Sequence, residues 1–329
     1  MFKFIVKRTL LGILILFFAM FIIYALMASL PSGYAEKTAR ELATRPGNTK
    51  SAQQWLDELN QQLGMDKGIV QGYFNWLGQT LTGHFGDSWM NTKPVTQVFH
   101  DTIWVSFSMN IVVYLLQICI AIPLGVLAAR KQYSFTDYSI TFIALVGISL
   151  PTFFVGTLFK LLFAVKFPLL DLNGMTSRNY LQLSPFMQKL DIAKHLILPC
   201  LTLTIVGIGD LMRYTRANTL EVLNADYIRT ARAKGLSENR VINHHAFRNT
   251  LIPLVTILGS MLPGLFSGAM ITEQIFDIRG IGYAGYNCMV GGDIPFTMFY
   301  LSFSCILILL GNLIADILYA VVDPRVRVN

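Results

Sequence analysis

Long apolar runs dominate the chain, separated by short polar stretches. A helix that crosses about 30 Å of hydrocarbon needs roughly 20 apolar residues. Six segments meet that requirement, near 9–29, 103–128, 138–164, 196–212, 251–275 and 296–322. The first, TLLGILILFFAMFIIYALMA, follows Lys3, Lys7 and Arg8 as a signal peptide would. Its uninterrupted run exceeds the usual h-region, which predicts a retained helix. The pattern therefore predicts an all-α membrane protein with six transmembrane helices. It divides into an N-terminal end with the first helix (1–29), a polar segment on one side (30–101), and a five-helix core (102–329) interrupted by a hairpin at 218–250.

Two polar segments carry helical signals of their own. In SAQQWLDELNQQLG, Trp55, Leu56, Leu59 and Leu63 share one face, with Ser51 placed to cap and Gly64 to stop the helix. Next comes YFNWLGQTLTGHFGDSW, with Tyr73, Phe74, Trp76, Leu77, Phe85 and Trp89, an aromatic density that suits a membrane interface. The segment either packs on the ends of the spans or forms a platform for an external partner. The second polar segment, NADYIRTARAKGLSENRVINHHAF, reads as two short helices. Asn224 is placed to cap the first, Asp226 sits in its first turn, and Lys234 and Gly235 end it. Ser237 is placed to cap the second. Ala225, Ile228 and Ala231 share one face of the first, where small residues would let a partner's groove approach the backbone.

Composition adds the membrane surroundings and the orientation. Of 329 residues, 53% are hydrophobic and 14% charged, against about 25% charged in soluble domains. Placing both termini in the cytoplasm gives the inner segments (1–8, 129–137, 213–250, 323–329) 14 Lys/Arg in 62 residues. The outer segments (30–101, 165–195, 276–295) then hold 11 in 123 residues, so the inner density is about 2.5 times higher. This bias accounts for the net charge of +7 without nucleic acid. It also makes the hairpin a cytoplasmic loop, where a bland role as an anchor on anionic lipid competes with docking of a partner. Cys119, Cys200, Cys288 and Cys305 are scattered, so neither a disulfide framework nor a metal site is indicated.

Several motifs fail on context. GIGYAG (280–285) matches a dinucleotide fingerprint but follows an apolar span rather than a strand, so a glycine-rich turn is expected. No GxxxxGK[ST] and no HExxH occurs, and the adjacent His244 and His245 point to different helix faces. GIS (147–149) lacks the rest of a serine elbow, and Pro151 suits a kink. No catalytic constellation appears. The charges inside the spans are Lys160, Asp210, Glu273 and Asp316. Intramembrane charges are costly and each is a functional candidate. Snorkelling suits Lys160, and Arg213 is a helical neighbour for Asp210.

Several stretches in fixed order carry a family resemblance. They are LGMDKGIVQGYFNWLGQTLTGHFGDSW, PVTQVF, IPLGVLAARKQ, ISLPTFF, HLILPCLTL, RYTRANTLEVLNADYIRTARAKGLSENRVINHHAFRNTLIPLV, RGIGYAGYNCMVGGDIP and LYAVVDPRVR. From about residue 60 onward the chain resembles the inner-membrane permease subunits of ATP-binding-cassette importers. It is most similar to the first permease of the oligopeptide/dipeptide/nickel family. The resemblance implies a type I importer permease fold in the bacterial plasma membrane. It implies that the hairpin is the EAA-motif coupling helix, with Arg229, Thr230, Ala231 and Gly235 at the E, A, A and G positions and Asp226, Leu236 and Ser237 beside them. The first two positions depart from the motif, and Phe247–Arg248 stands where many importers have Leu-Pro. The implied partners are a second homologous permease, two ATPase subunits that carry the ATP and Mg²⁺, an extracytoplasmic binding protein and a peptide cargo. This chain itself would hold no cofactor and catalyse nothing. Nickel or a nickel chelate is an alternative cargo. A secondary transporter would need inverted repeats and midplane charges, which are not evident. An intramembrane enzyme lacks its residues. The sequence assigns no residue to the substrate path.

Overall fold

The computed structural model describes residues 2–30 and 33–322, and the expected inner tail 323–329 lies outside them. Among the described residues regular structure is helical, apart from one β-bridge between Asp87 and Pro94. Helix α1 (Phe2–Ala28) leads into three shorter helices, α2 (Gly33–Ala43), α3 (Ala52–Leu63) and α4 (Ile69–Leu81). The core then runs through α5 (Val95–Arg130), α6 (Phe135–Ser149), α7 (Thr152–Lys160) and α8 (Pro185–Leu223). The hairpin holds α9 (Asp226–Ala233) and α10 (Glu238–Arg240). Beyond it come α11 (Phe247–Met261), α12 (Gly264–Ser267), α13 (Met270–Phe276), α14 (Ile281–Gly291) and α15 (Ile294–Val322).

Among the described residues, four helices are long and apolar enough to cross a membrane alone: Ile5–Ala28, Val95–Arg130, Pro185–Leu223 and Ile294–Leu318. Two further spans exist only if bent helix pairs count as one each, giving up to six. The expected span at 138–164 is such a pair, with α6 and the helix running from Thr152 to Lys166 meeting at 99°. Pro151 explains the break. It donates no backbone N–H and forces the preceding residue out of the helical region, so Leu150 sits extended at φ −88°, ψ 128°. The second pair, Glu238–Leu251 and Pro253–Ser267, meets at 50°, and the expected span at 251–275 is interrupted again at Gly268 with φ +76°. Conversely, the run at 196–212 is the middle of the 39-residue α8, which starts at a Ser184 cap with Pro185 in the first turn.

The 30–101 segment folds onto one end of α1. Ser51 caps α3 and Gly64 closes it in the left-handed conformation, as the pattern predicts, and Gln54 adds the second half of a capping box. Leu59, Leu63, Tyr73, Trp76 and Trp89 are buried in one cluster with Met20 and Tyr24 of α1 and Ile294 and Met298 of α15. The Tyr24 hydroxyl donates to the Leu63 carbonyl (3.0 Å) and the Tyr73 hydroxyl to the Phe17 carbonyl (2.8 Å). These aromatics are therefore largely core, while Phe74 stays exposed. The rest of α1 is a sparsely covered apolar rod, with Leu10 61% and Ile13 59% exposed, as a lipid-facing helix requires. At the opposite end of the long α5 and α8 lies the hairpin. Between these ends α5, α6, α8 and α11 share one core, including Ala121, Ala144, Leu211 and Leu254.

Candidate functional site

The hairpin is held by a glycine cap and a small apolar core. The N-terminal boundary of α9 is Ala225, without a side-chain cap; Asn224 instead ends α8, its N–H bonding back to Leu220 and Glu221 carbonyls. The expected Asn224 cap is corrected accordingly: a residue that ends one helix at φ −88°, ψ −5° is not free to adopt the extended cap geometry. At the other end of α9 the Gly235 N–H bonds to the Arg232 carbonyl (2.9 Å) and the Leu236 N–H to the Ala231 carbonyl (3.4 Å). Gly235 adopts φ +78°. This is the Schellman pattern, in which a hydrophobic residue just beyond the glycine packs back on the last turn. Leu236 does so, joining Ile228, Ala231, Val241 and Ala246 in a small core with Val222 and Leu223 of α8.

That core reverses one expectation. Ile228 and Ala231 face inward and are buried, so the small-residue face is not open to a partner. Its smallness lets α9 pack on its own chain. Asp226, Tyr227, Arg229, Thr230, Ala233 and Lys234 form the exposed surface instead. Tyr227, 47% exposed beside the basic residues, is the outward aromatic that charge-based reading missed. Of the seven expected site residues, Asp226, Arg229, Thr230, Gly235 and Ser237 are exposed, Leu236 is half-buried and Ala231 is buried.

The second expected helix is not a separate one. After the short α10 the backbone continues through a π-helical turn, Val241–Ala246, directly into α11. Ser237 marks the start of α10, but its carbonyl rather than its hydroxyl does the bonding, accepting from Arg240 N–H (2.9 Å) and Val241 N–H (3.0 Å). Arg232 spans the turn with a bidentate bond to Glu238 (3.1 and 2.7 Å). The Glu238 carboxylate pushes the Arg232 guanidinium still further above its ordinary pKa by accepting its N–H groups, so this fork stays charged at every physiological pH. Arg130, at the end of α5, donates to Asn239 (2.8 Å) and ties the hairpin to the bundle.

Buried carboxylates away from the hairpin organise the rest. Asp137, in the first turn of α6 and 2% exposed, accepts a fork from Arg216 of α8 (2.6 and 2.7 Å). The sequence signal was available, because Ser134 stands three residues before Asp137 as a cap does. Glu273 is fully buried, accepting from Ser106 Oγ (2.7 Å), Ala269 N–H (2.9 Å) and Tyr283 N–H (2.7 Å). Tyr283 lies in the first turn of α14, so the GIGYAG stretch is the start of a buried helix rather than a turn. Its first amides are already taken by the protein's own groups, Tyr283 N–H by the Glu273 carboxylate and Ile281 N–H by Ser106 Oγ (2.8 Å). Lys160 is held within the protein, donating to Asn173 Oδ1 and the Ile275 carbonyl, both at 2.5 Å. Asp210 pairs with Arg213 (3.2 Å), as its spacing predicts, and Asp316 with Arg8 (3.1 Å). Among the described residues no group of His, Cys, Asp and Glu is arranged to hold a metal ion.

Residues 121–328 match the family described as "Binding-protein-dependent transport system inner membrane component", and residues 1–110 match its N-terminal counterpart. The chain belongs to this family. It is thus a multi-pass inner-membrane permease subunit, and membership implies ATPase and binding-protein partners in general. Similarity to curated relatives runs end to end. The permease is 35% identical over 325 residues to the oligopeptide transport system permease protein AppB of Bacillus subtilis (strain 168), covering 98% of this chain and 99% of the relative. It is 32% identical over 328 residues to the dipeptide transport system permease protein DppB of Lactococcus lactis subsp. cremoris (strain MG1363), covering 99% and 100%.

Proposed function

We propose that this permease forms half of the translocation path of an ATP-driven peptide importer. The observation that carries the reading is its end-to-end likeness to an oligopeptide and a dipeptide permease. A rigid basic hairpin at one end of the bundle supports it. Both termini and the hairpin lie in the cytoplasm, where Lys and Arg concentrate. Two ATPase subunits bind ATP and Mg²⁺, and one grips the outward face of α9 through Tyr227, Arg229, Thr230 and Lys234. Ala231, Gly235 and Leu236 act from behind that face, holding α9 at a fixed angle. A second homologous permease completes the path, and a peptide-loaded binding protein docks on the outer segments 30–101 and 276–295. This chain moves and does not hydrolyse ATP.

Reconstitution with these partners in proteoliposomes tests the reading. The expected result is uptake of a labelled tetrapeptide that requires both ATP and the binding protein. Uptake of Ni²⁺ alone under the same conditions would transfer the subunit to a metal importer. Peptide accumulation by this chain alone, without ATP, would make it a secondary transporter and overturn the proposal.

A further inference from the structure

We propose that the Asp137–Arg216 pair is the latch through which movement of the hairpin reaches α6, making both side chains positioning residues for transport. This rests on the hairpin being the element the ATPases move.

The argument begins with how a pull on α9 can leave the hairpin. The inner face of α9 packs on Val222 and Leu223, so α9 is a braced extension of the end of α8. Arg216 lies about two turns further back along α8, and its fork closes on Asp137 at the start of α6. The Asp137 carboxylate also accepts the Tyr133 N–H (3.0 Å), which fastens the tight α5–α6 connection to the same point. Tyr133 is held at φ +62°, a conformation a tyrosine adopts only when its surroundings impose it. Separating the pair would strand a carboxylate that is 2% exposed, so the two helices resist parting here.

Beyond the latch α6 and α8 are in backbone contact. A Cβ at Gly209 would lie 2.5 Å from the Ala144 carbonyl oxygen, and one at Gly147 would lie 2.7 Å from that of Ile205. The helices therefore tilt as one body from the hairpin end. That body ends at Leu150–Pro151, where the chain bends by 99° and no backbone bond from Pro151 resists a change of angle. The latch joins the lever to α6, and the bend is where the motion is relieved.

The test compares peptide transported per ATP hydrolysed in the purified, reconstituted complex, so that lost expression does not enter. Asp137→Asn is expected to lower this ratio about tenfold, with ATPase activity retained. Arg216→Lys keeps the charge but loses the fork, and is expected to lower the ratio as well. It decides the matter if Asp137→Asn yields no assembled complex. A ratio unchanged in Arg216→Lys, or transport and ATPase falling together, would overturn the latch. In parallel, Ala233→Cys is cross-linked to the ATPase in the otherwise wild-type complex. No cross-link would mean that the hairpin reading has failed, whereas a cross-link with an unchanged ratio would mean that only the latch has.

Discussion

Gly235 sits at φ +78° with open space around its Cα, so its requirement is conformational and not steric. A Cβ in that left-handed region costs about 1 kcal/mol, so Gly235→Ala is expected to loosen the hairpin mildly. Proline cannot adopt the conformation at all. Gly235→Pro is expected to abolish peptide uptake and uncouple ATP hydrolysis while membrane insertion, measured by immunoblot of membranes, stays normal. Ile228 is fully buried in the small hairpin core, and truncating such a residue typically costs about 2–5 kcal/mol. Ile228→Ala should therefore expose the 226–250 segment to proteolysis in membranes from the hairpin side. The exposed Arg232–Glu238 fork is a different case: Arg232→Ala is expected to change protease resistance little, because exposed pairs contribute about 0–1 kcal/mol. At this scale the sequence showed the C-terminal end of α9 correctly at Gly235 but neither its N-terminal cap nor the direction of its faces. Ala231 looks like an open docking position until Val241 and Ala246 are seen folded over it.

Buried carboxylates tie helices of this protein together. Glu273 draws α5, α13 and α14 together, because Ser106, Ala269 and Tyr283 all donate to it. Glu273→Ala would orphan those donors at about 1–3 kcal/mol each. A clear fall in the thermal unfolding midpoint in detergent is expected, with Glu273→Gln intermediate because one acceptor oxygen remains. An unchanged midpoint for Glu273→Ala would show that water reaches the site. The sequence revealed Glu273 only as a charge near the end of an apolar run. Its donors lie 167 residues away in Ser106 and 10 residues on in Tyr283, separations that no local pattern reports. The same limit applies to the span at 138–164. Pro151 announced a kink, but the size of the bend depends on what α7 packs against, here Phe276 of α13 and Ile278 just beyond it.

For the whole molecule, orientation is the property on which the transport reading depends. With the hairpin in the cytoplasm, a cysteine in place of Ala233 is expected to react with a membrane-impermeant maleimide only in inverted vesicles. One in place of Gln53, exposed on α3, should react only from the outside; the reverse pattern would invert the assignment. Apolar length, the Lys/Arg bias and the cap residues are local or additive quantities. They sufficed for an all-α membrane chain, for α3 capped at Ser51 and stopped at Gly64, and for a first hairpin helix that ends at Gly235. The tertiary structure alone decided which sides those helices turn outward and how far the spans bend. It also decided which charges pair, as Asp137 does with Arg216 and Arg8 with Asp316. The physical reason is range. Propensity and hydropathy act within a few residues along the chain. The burial of a charge is set by partners that only folding brings within hydrogen-bond distance.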